Sequence, residues 1–204
     1  MDSRNRNSLS KLRQMVREMP RSSVVTRCEL CSAEIPSSRH RHLLELAVRQ
    51  VRCVCDPCAL RFHDVVGGKY KLIPRDARAL TDFQITDAQW DSLSIPINLA
   101  FFFHSSLEDK IVAMYPSPAG ATESLLSLET WEMLVTDNPV LAQMQPDVEA
   151  LLVNRIGTTR AYYRAPIDTC YKLVGIIRAR WRGLSGGKEL WEEIEHFFAH
   201  LKEH

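Results

Sequence analysis

The sequence contains no long apolar run. No stretch of the 204 residues approaches about 18 uninterrupted apolar residues, so we expect no membrane-spanning helix. The opening segment, MDSRNRNSLSKLRQM, also lacks the apolar core of a secretory signal. We therefore expect a cytoplasmic protein whose thiols stay reduced.

The sequence also lacks an excess of charge of either sign. Its 26 Lys and Arg residues and 25 Asp and Glu residues give a formal net charge of +1. That balance provides no general attraction to nucleic acid or to a membrane surface, so we predict neither partner. The remaining composition, 45% hydrophobic and 25% charged, is typical of a globular protein with a sizeable core.

Familiar catalytic motifs are missing as well. The metal-binding motif H-E-x-x-H does not occur. The glycine-rich segment 183–187 is not a Walker A loop, because Glu189 follows Lys188 where that loop needs Ser or Thr. Without an acid–base constellation, the sequence favours a binding protein over an enzyme.

Composition divides the chain into three parts. Residues 1–27 form a basic tail that includes an amphipathic helical pattern, residues 28–68 hold five of the six cysteines, and residues 69–204 form the main domain. Hairpins and helices without a βαβ order predict an α+β fold. We expect an N-terminal helical module resembling a zinc knuckle or ribbon, then an antiparallel hairpin sheet with C-terminal helices.

Local patterns predict the individual elements. Leu43, Leu44, Ala47 and Val48 indicate a helix capped by Ser37 or Ser38, before a strand over 50–54 and a helix beginning at Asp56. In the main domain we predict strands over 69–73, 95–104, 110–115, 148–156 and 161–165. Helices are predicted over 87–93 and 128–135, from Asp168 onward, and over 189–202.

Two C-x-x-C pairs carry the strongest chemical signal. Cys28 and Cys31 form the first pair, and Cys55 and Cys58 form the second. Each pair can present two thiolates to one ion from a tight turn, and two pairs complete a tetrahedral shell. In a reduced compartment this pattern predicts one bound metal ion, with zinc as the expected ion and rubredoxin-like iron as the alternative.

Three other side chains compete for the proposed metal shell. Cys53 is a fifth thiol near the second pair, and His40 and His42 lie between the pairs. We predict that the two histidines are surface positions on the helix over Leu43 and Leu44, outside the ligand set, because four cysteines already close the shell. Cys53 is predicted to be the spare thiol, since we expect the strand over 50–54 to point its side chain away from that of Cys55. A further alternative is thiol redox chemistry at Cys55 and Cys58, whose C-x-P-C order is typical of thioredoxin-type sites. The sixth thiol, Cys170, is expected to be buried and inert.

A second candidate site is a small-residue loop after a predicted strand. Its polar and flexible positions could contact a ligand or a partner, although a rigid connection explains the two prolines equally well. The candidate contact residues are Tyr115, Ser117, Gly120, Thr122 and Glu123.

Several segments together resemble a bacterial family of uncharacterised proteins encoded in gene clusters for nickel–iron hydrogenases. They are Cys28-x-x-Cys31, His40-Arg-His42-Leu-Leu, Cys53-Val-Cys55-Asp-Pro-Cys58, Leu99-Ala-Phe-Phe-Phe-His104, Tyr115 to Ser124, Asp147 to Arg155, Pro166-Ile-Asp-x-Cys-Tyr171 and Trp181 to Gly187. The resemblance implies an accessory role in making, stabilising or wiring a hydrogenase, with a hydrogenase subunit or maturation protein as partner. It implies no catalytic residue.

Overall fold

The computed structural model describes residues 26–36, 40–63, 68–124, 128–183 and 186–202. The predicted tail helix and the predicted capping residues Ser37 and Ser38 lie outside these ranges. Within them the fold is α+β, as predicted, with antiparallel sheets and helices. No helix in the described ranges is both long and apolar enough to cross a membrane.

The first part of the chain forms two small sheets and a short helix. Strands β1 and β2 pair as a hairpin, β3 lies between β4 and β5, and helix α1 follows β4. All of these strand pairs are antiparallel. The bounds are β1 Thr26–Arg27, β2 Glu34–Ile35, β3 Arg41–Glu45, β4 Gln50–Val54, α1 Asp56–Phe62 and β5 Tyr70–Leu72.

The rest of the chain builds a six-stranded antiparallel sheet in the order β6-β11-β10-β7-β8-β9. Its strands are β6 Arg78–Ala79, β7 Leu99–Ser105, β8 Lys110–Ser117, β9 Gly120–Ser124, β10 Glu149–Asn154 and β11 Ala161–Pro166. The helices are α2 Asp87–Ser92, α3 Leu128–Asp137, α4 Ile167–Arg180 and α5 Lys188–Lys202. A 3-10 turn, Pro139–Gln143, follows α3.

Both faces of the large sheet are buried, which explains its continuous apolar strands. Phe101 and Phe103 point to one face, where they share a core with apolar residues of α4 and α5. Phe102 points to the other face, against Trp90 of α2 and Trp131 of α3. Because alternate side chains leave a strand on opposite faces, a run of three phenylalanines can only be buried when helices cover both sides.

The predicted helix over Leu43, Leu44, Ala47 and Val48 is wrong. Leu43 and Leu44 lie in strand β3, and residues 46–48 form a single 3-10 turn. The two leucines are buried on opposite faces, Leu43 among the cysteines and Leu44 in the core of the large sheet. An adjacent apolar pair of this kind breaks the alternation of a half-buried strand and imitates a helical pattern.

The other predicted elements lie near their observed positions. Helix α2 begins with a capping box, in which Thr86 and Gln89 bond reciprocally to each other's backbone N–H groups. Helix α4 begins one residue before the predicted start, so Asp168 lies in its first turn and Pro166 is the N-cap.

Candidate metal centre

The first cysteine pair lies in the turn between β1 and β2. The Cys28 N–H donates to the Ala33 carbonyl at 2.8 Å, and the Ser32 N–H donates to the Cys28 carbonyl at 2.8 Å. Ser32 has a left-handed backbone with φ of 61°. These bonds close a tight turn that holds Cys28 and Cys31 at its tip.

The second pair lies where β4 passes into α1. Cys55 is the N-cap residue, with an extended backbone, and its carbonyl accepts the Ala59 N–H at 2.9 Å. Pro57 is compatible with the first turn because that turn leaves its N–H groups without intrahelical acceptors. Cys55 and Cys58 therefore lie three positions apart around the first turn of the helix, with both thiols at the same end.

The four thiols converge on one point. All four Sγ atoms lie within 4.8 Å of one another, and Cys31 Sγ is 3.7 Å from Cys55 Sγ. A tetrahedral ion with metal–sulfur bonds of about 2.3 Å places its sulfur atoms about 3.8 Å apart. All four cysteines are free thiols rather than disulfides. The described structure thus contains a four-cysteine cluster of a size that could hold one metal ion.

The protonation of the cluster favours a cation. Burial raises the pKa of the Cys28 thiol, but hydrogen bonds from backbone N–H groups of Cys55, Leu30 and Cys31 outweigh it and lower that pKa to about 6. Burial and contact with the other thiols raise the pKa of Cys58 far above its ordinary value. Without a metal, the first thiolate of the cluster thus forms easily, whereas a second thiolate beside it is unfavourable. The positive charge of a bound cation stabilises neighbouring thiolates, so all four cysteines can bind it in the deprotonated form.

A small apolar core supports the cluster. Cys28 and Cys58 are buried with Leu43, Val54 and Ile35, whereas Cys31 is exposed. The cluster therefore combines two buried thiols with an exposed one, Cys31, and a partly exposed one, Cys55.

Glu29 connects the segments that carry the two cysteine pairs through hydrogen bonds. Its N–H donates to the Cys53 carbonyl at 2.9 Å, and its Oε1 accepts the Cys53 N–H at 2.7 Å. Its second carboxylate oxygen accepts Arg52 Nη1 at 3.2 Å. No motif in the sequence points to Glu29. Its only local signal is its place inside the first C-x-x-C pair, which does not show that it pairs with β4.

Cys53 lies outside the four-cysteine cluster. Residues two apart on a regular strand share a face, so continued extension would have placed Cys53 and Cys55 together. Strand β4 ends at Val54, however, and Cys55 turns into the helix. Burial and the nearby Glu29 carboxylate raise the pKa of Cys53. It is therefore a poor thiolate in this structure.

His40 and His42 also lie outside the cluster. Their rings are 5.0 Å apart, centroid to centroid. The expectation that they lie on the surface of a helix is wrong, because His40 precedes β3, His42 belongs to it, and both are only partly exposed. The Nδ1 atom of His42 lies 2.5 Å from Oδ2 of Asp168 in α4. This contact joins residues 126 positions apart, so no local pattern could have shown it.

The thiol redox alternative has weak support in the geometry. Cys55 and Cys58 do lie between a strand and a helix, but every strand pair among the described residues is antiparallel. A hydrogen bond from the Cys58 N–H lowers the pKa of Cys55, yet burial and the surrounding thiols outweigh it and the net shift is upward. A thioredoxin-type nucleophile needs a lowered pKa. Cys170 is fully buried, as predicted, and burial raises its pKa.

The predicted loop from Tyr115 to Glu123 is a hairpin. Tyr115 and Ser117 end strand β8, and Gly120, Thr122 and Glu123 lie in strand β9. Several of its polar side chains contact one another. The Ser117 hydroxyl lies 3.1 Å from that of Thr122, and Lys110 Nζ lies 3.0 Å from a Glu123 carboxylate oxygen. The strand β9 forms one edge of the large sheet.

Comparison with known families assigns residues 27–204 to a family of unknown function, DUF5947. The match covers most of the chain, and the protein belongs to this family. No curated protein and no solved structure matches the chain. The four-cysteine cluster is therefore interpreted from its own geometry.

Proposed function

We propose that this protein is a metal-binding accessory protein in which Cys28, Cys31, Cys55 and Cys58 hold one zinc ion. The convergence of four thiols within 4.8 Å supports this proposal most directly. Four protein thiolates leave no coordination position for water, so the ion stabilises the module instead of catalysing hydrolysis. In this proposal residues 28–68 act as a zinc-knuckle module.

The proposed setting is a cytoplasmic nickel–iron hydrogenase system, where the chain would bind a hydrogenase subunit or a maturation protein. The resemblance described above supports this setting. The edge hairpin β8–β9 is the proposed contact surface, because an edge strand exposes backbone groups to which a partner can bind.

Metal analysis tests the first part of the proposal. We expect one zinc per chain and no visible absorption in protein purified without added metal. Replacing Cys31 by Ser should abolish stoichiometric binding, whereas Cys53→Ser, a matched thiol outside the cluster, should retain it. Iron with visible bands would replace zinc with a rubredoxin-like electron-transfer centre. Metal-free protein with freely titrating thiols would refute the metal site.

Affinity capture tests the partner. Tagged protein expressed in a host that carries a nickel–iron hydrogenase gene cluster should recover a hydrogenase subunit or maturation protein. A variant with Glu123→Lys in the edge hairpin should recover less, whereas Glu192→Lys on helix α5 should not change recovery. If the capture contains no hydrogenase component, the assembly role is wrong while the metal site remains as measured.

A further inference from the structure

A second cluster of chemically active side chains lies away from the four cysteines. It lines a cleft of about 310 Å³ between strand β3, the segment after β5 and the start of helix α4. The lining residues are His40, Arg41, His42, Ile73, Pro74, Arg75 and Asp168. That volume lies at the lower end of the range for small-molecule sites.

The cleft contains a histidine whose orientation is fixed. Asp168 Oδ1 accepts the Thr169 N–H at 2.8 Å, and Asp168 Oδ2 lies 2.5 Å from His42 Nδ1. A carboxylate on Nδ1 keeps the proton there, so Nε2 remains the free nitrogen of the ring. This nitrogen can hydrogen-bond a ligand, and it becomes a donor when the ring is protonated.

Two guanidinium groups in the same cleft have spare donors. Arg75 is exposed, and its Nη2 donates to the His40 carbonyl at 3.3 Å. It forms no ion pair with any residue in the described ranges. Arg41 pairs with Asp56 at the long distance of 3.8 Å. Each guanidinium carries five N–H donors, so both retain several for a ligand.

The charge of the cleft favours an anion. Arg75 contributes a positive charge with no carboxylate partner in the described ranges, and Arg41 contributes one that lies 3.8 Å from Asp56. Asp168, the carboxylate among the described lining residues, is already engaged by His42 and Thr169. Two planar guanidinium forks and an imidazole suit the oxygen atoms of a phosphate group better than a singly charged carboxylate.

We propose that this cleft binds a phosphate group, free or as a phosphate ester, through Arg41, Arg75 and His42. The ligand accepts hydrogen bonds from the two guanidinium groups and from the ring of His42, which Asp168 holds in place. The site is separate from the four-cysteine cluster and does not depend on which metal that cluster holds.

Titration with inorganic phosphate, followed by NMR of histidine-labelled protein, tests this site. We expect saturable shifts of the His42 and His40 resonances. Arg75→Gln should weaken binding about tenfold, because it removes a charged donor from the ligand. Arg78→Gln is the matched control, since Arg78 is also exposed, lies three residues further on and does not line the cleft. It should leave the affinity unchanged.

Three results would overturn the proposal. The first is a non-saturating drift of the resonances that is the same in wild type and Arg75→Gln. The second is equal weakening by Arg75→Gln and Arg78→Gln, which would indicate general charge screening. The third is acetate binding as tightly as phosphate, which would contradict a phosphate site. A phenyl phosphate titration separates the two sources of the group, since tighter binding than inorganic phosphate favours an ester.

Discussion

Asp147 provides the most direct test of how the three-stranded sheet of β3, β4 and β5 is attached to the large sheet. It lies just before β10, and its side chain is nearly buried. Its carboxylate accepts Lys71 Nζ at 2.6 Å, the Ser106 N–H at 2.8 Å and the Ser106 hydroxyl at 2.6 Å. Lys71 belongs to β5, and Ser106 follows β7, so one carboxylate joins three segments.

Replacing Asp147 by Ala should lower the free energy of unfolding by about 3–5 kcal/mol. The change removes all three accepted bonds and leaves the Lys71 ammonium without its partner, which is the costly case for a partly buried ion pair. The backbone φ of 71° adds to this cost, because Ala is disfavoured in the left-handed region. Asp147→Asn keeps the backbone preference and one acceptor oxygen, so we expect a loss of about 1–2 kcal/mol.

Urea unfolding followed by tryptophan fluorescence measures both variants at one fixed zinc concentration. Asp109→Asn is the matched control, because Asp109 also has a positive φ but its side chain is 95% exposed. Its midpoint of urea unfolding should equal that of the wild type. An equal loss of unfolding free energy in Asp147→Asn and Asp147→Ala would refute this role of Asp147, as would a loss below about 1 kcal/mol in Asp147→Ala.

The same carboxylate makes stability depend on pH. Burial raises the pKa of Asp147, but the hydrogen bonds from Lys71 and Ser106 outweigh it and hold the pKa below its ordinary value. Because the folded pKa is lower than the unfolded pKa of about 3.9, the contribution is full above that value and is lost as pH falls through the folded pKa. The stability difference between wild type and Asp147→Asn should therefore shrink below about pH 4.

Three further outcomes are expected. Phe102→Ala should lower the free energy of unfolding, measured in urea, by about 3–5 kcal/mol, because it leaves a cavity where the buried ring stacks on Trp131 with centroids 5.7 Å apart. Bound metal should be released as pH falls, because protons compete for the thiolates; release that is independent of pH would contradict four-thiolate binding. In metal-free folded protein, a thiol reagent should modify the exposed Cys31 quickly, and Cys170 only on unfolding, as mass spectrometry of the labelled peptides would show.

Much of the large sheet could be predicted because its signals are local. The observed strand Glu149–Asn154 lies inside the predicted range 148–156, and the observed helix Lys188–Lys202 begins one residue before its prediction. Turn residues bound the strands, and a strong apolar stripe marks the helix. The four cysteines could also be grouped, because each pair spans one tight turn.

The edge hairpin was missed because two prolines suggest a loop. Pro116 nevertheless lies inside β8, paired with Ala121 of β9. The pairing of β8 with β7 ends at Met114, so Pro116 has a neighbouring strand on one side only. A proline without an N–H is tolerated where the strand has no second neighbour, and this depends on how far the pairing of β7 with β8 extends, which residues near Pro116 do not show.

Strand β3 shows why the rest of the site could not be predicted locally. Leu43 faces the cysteine cluster, whereas its neighbour His42 contacts Asp168 in α4. Since successive side chains leave a strand on opposite faces, Leu43 and His42 lie on the two sides of one strand. A shift of the β3–β4 register by one residue would move both residues to the wrong side. The bonds between Glu29 and Cys53 oppose that shift, because they fix β4 to the turn that carries Cys28 and Cys31.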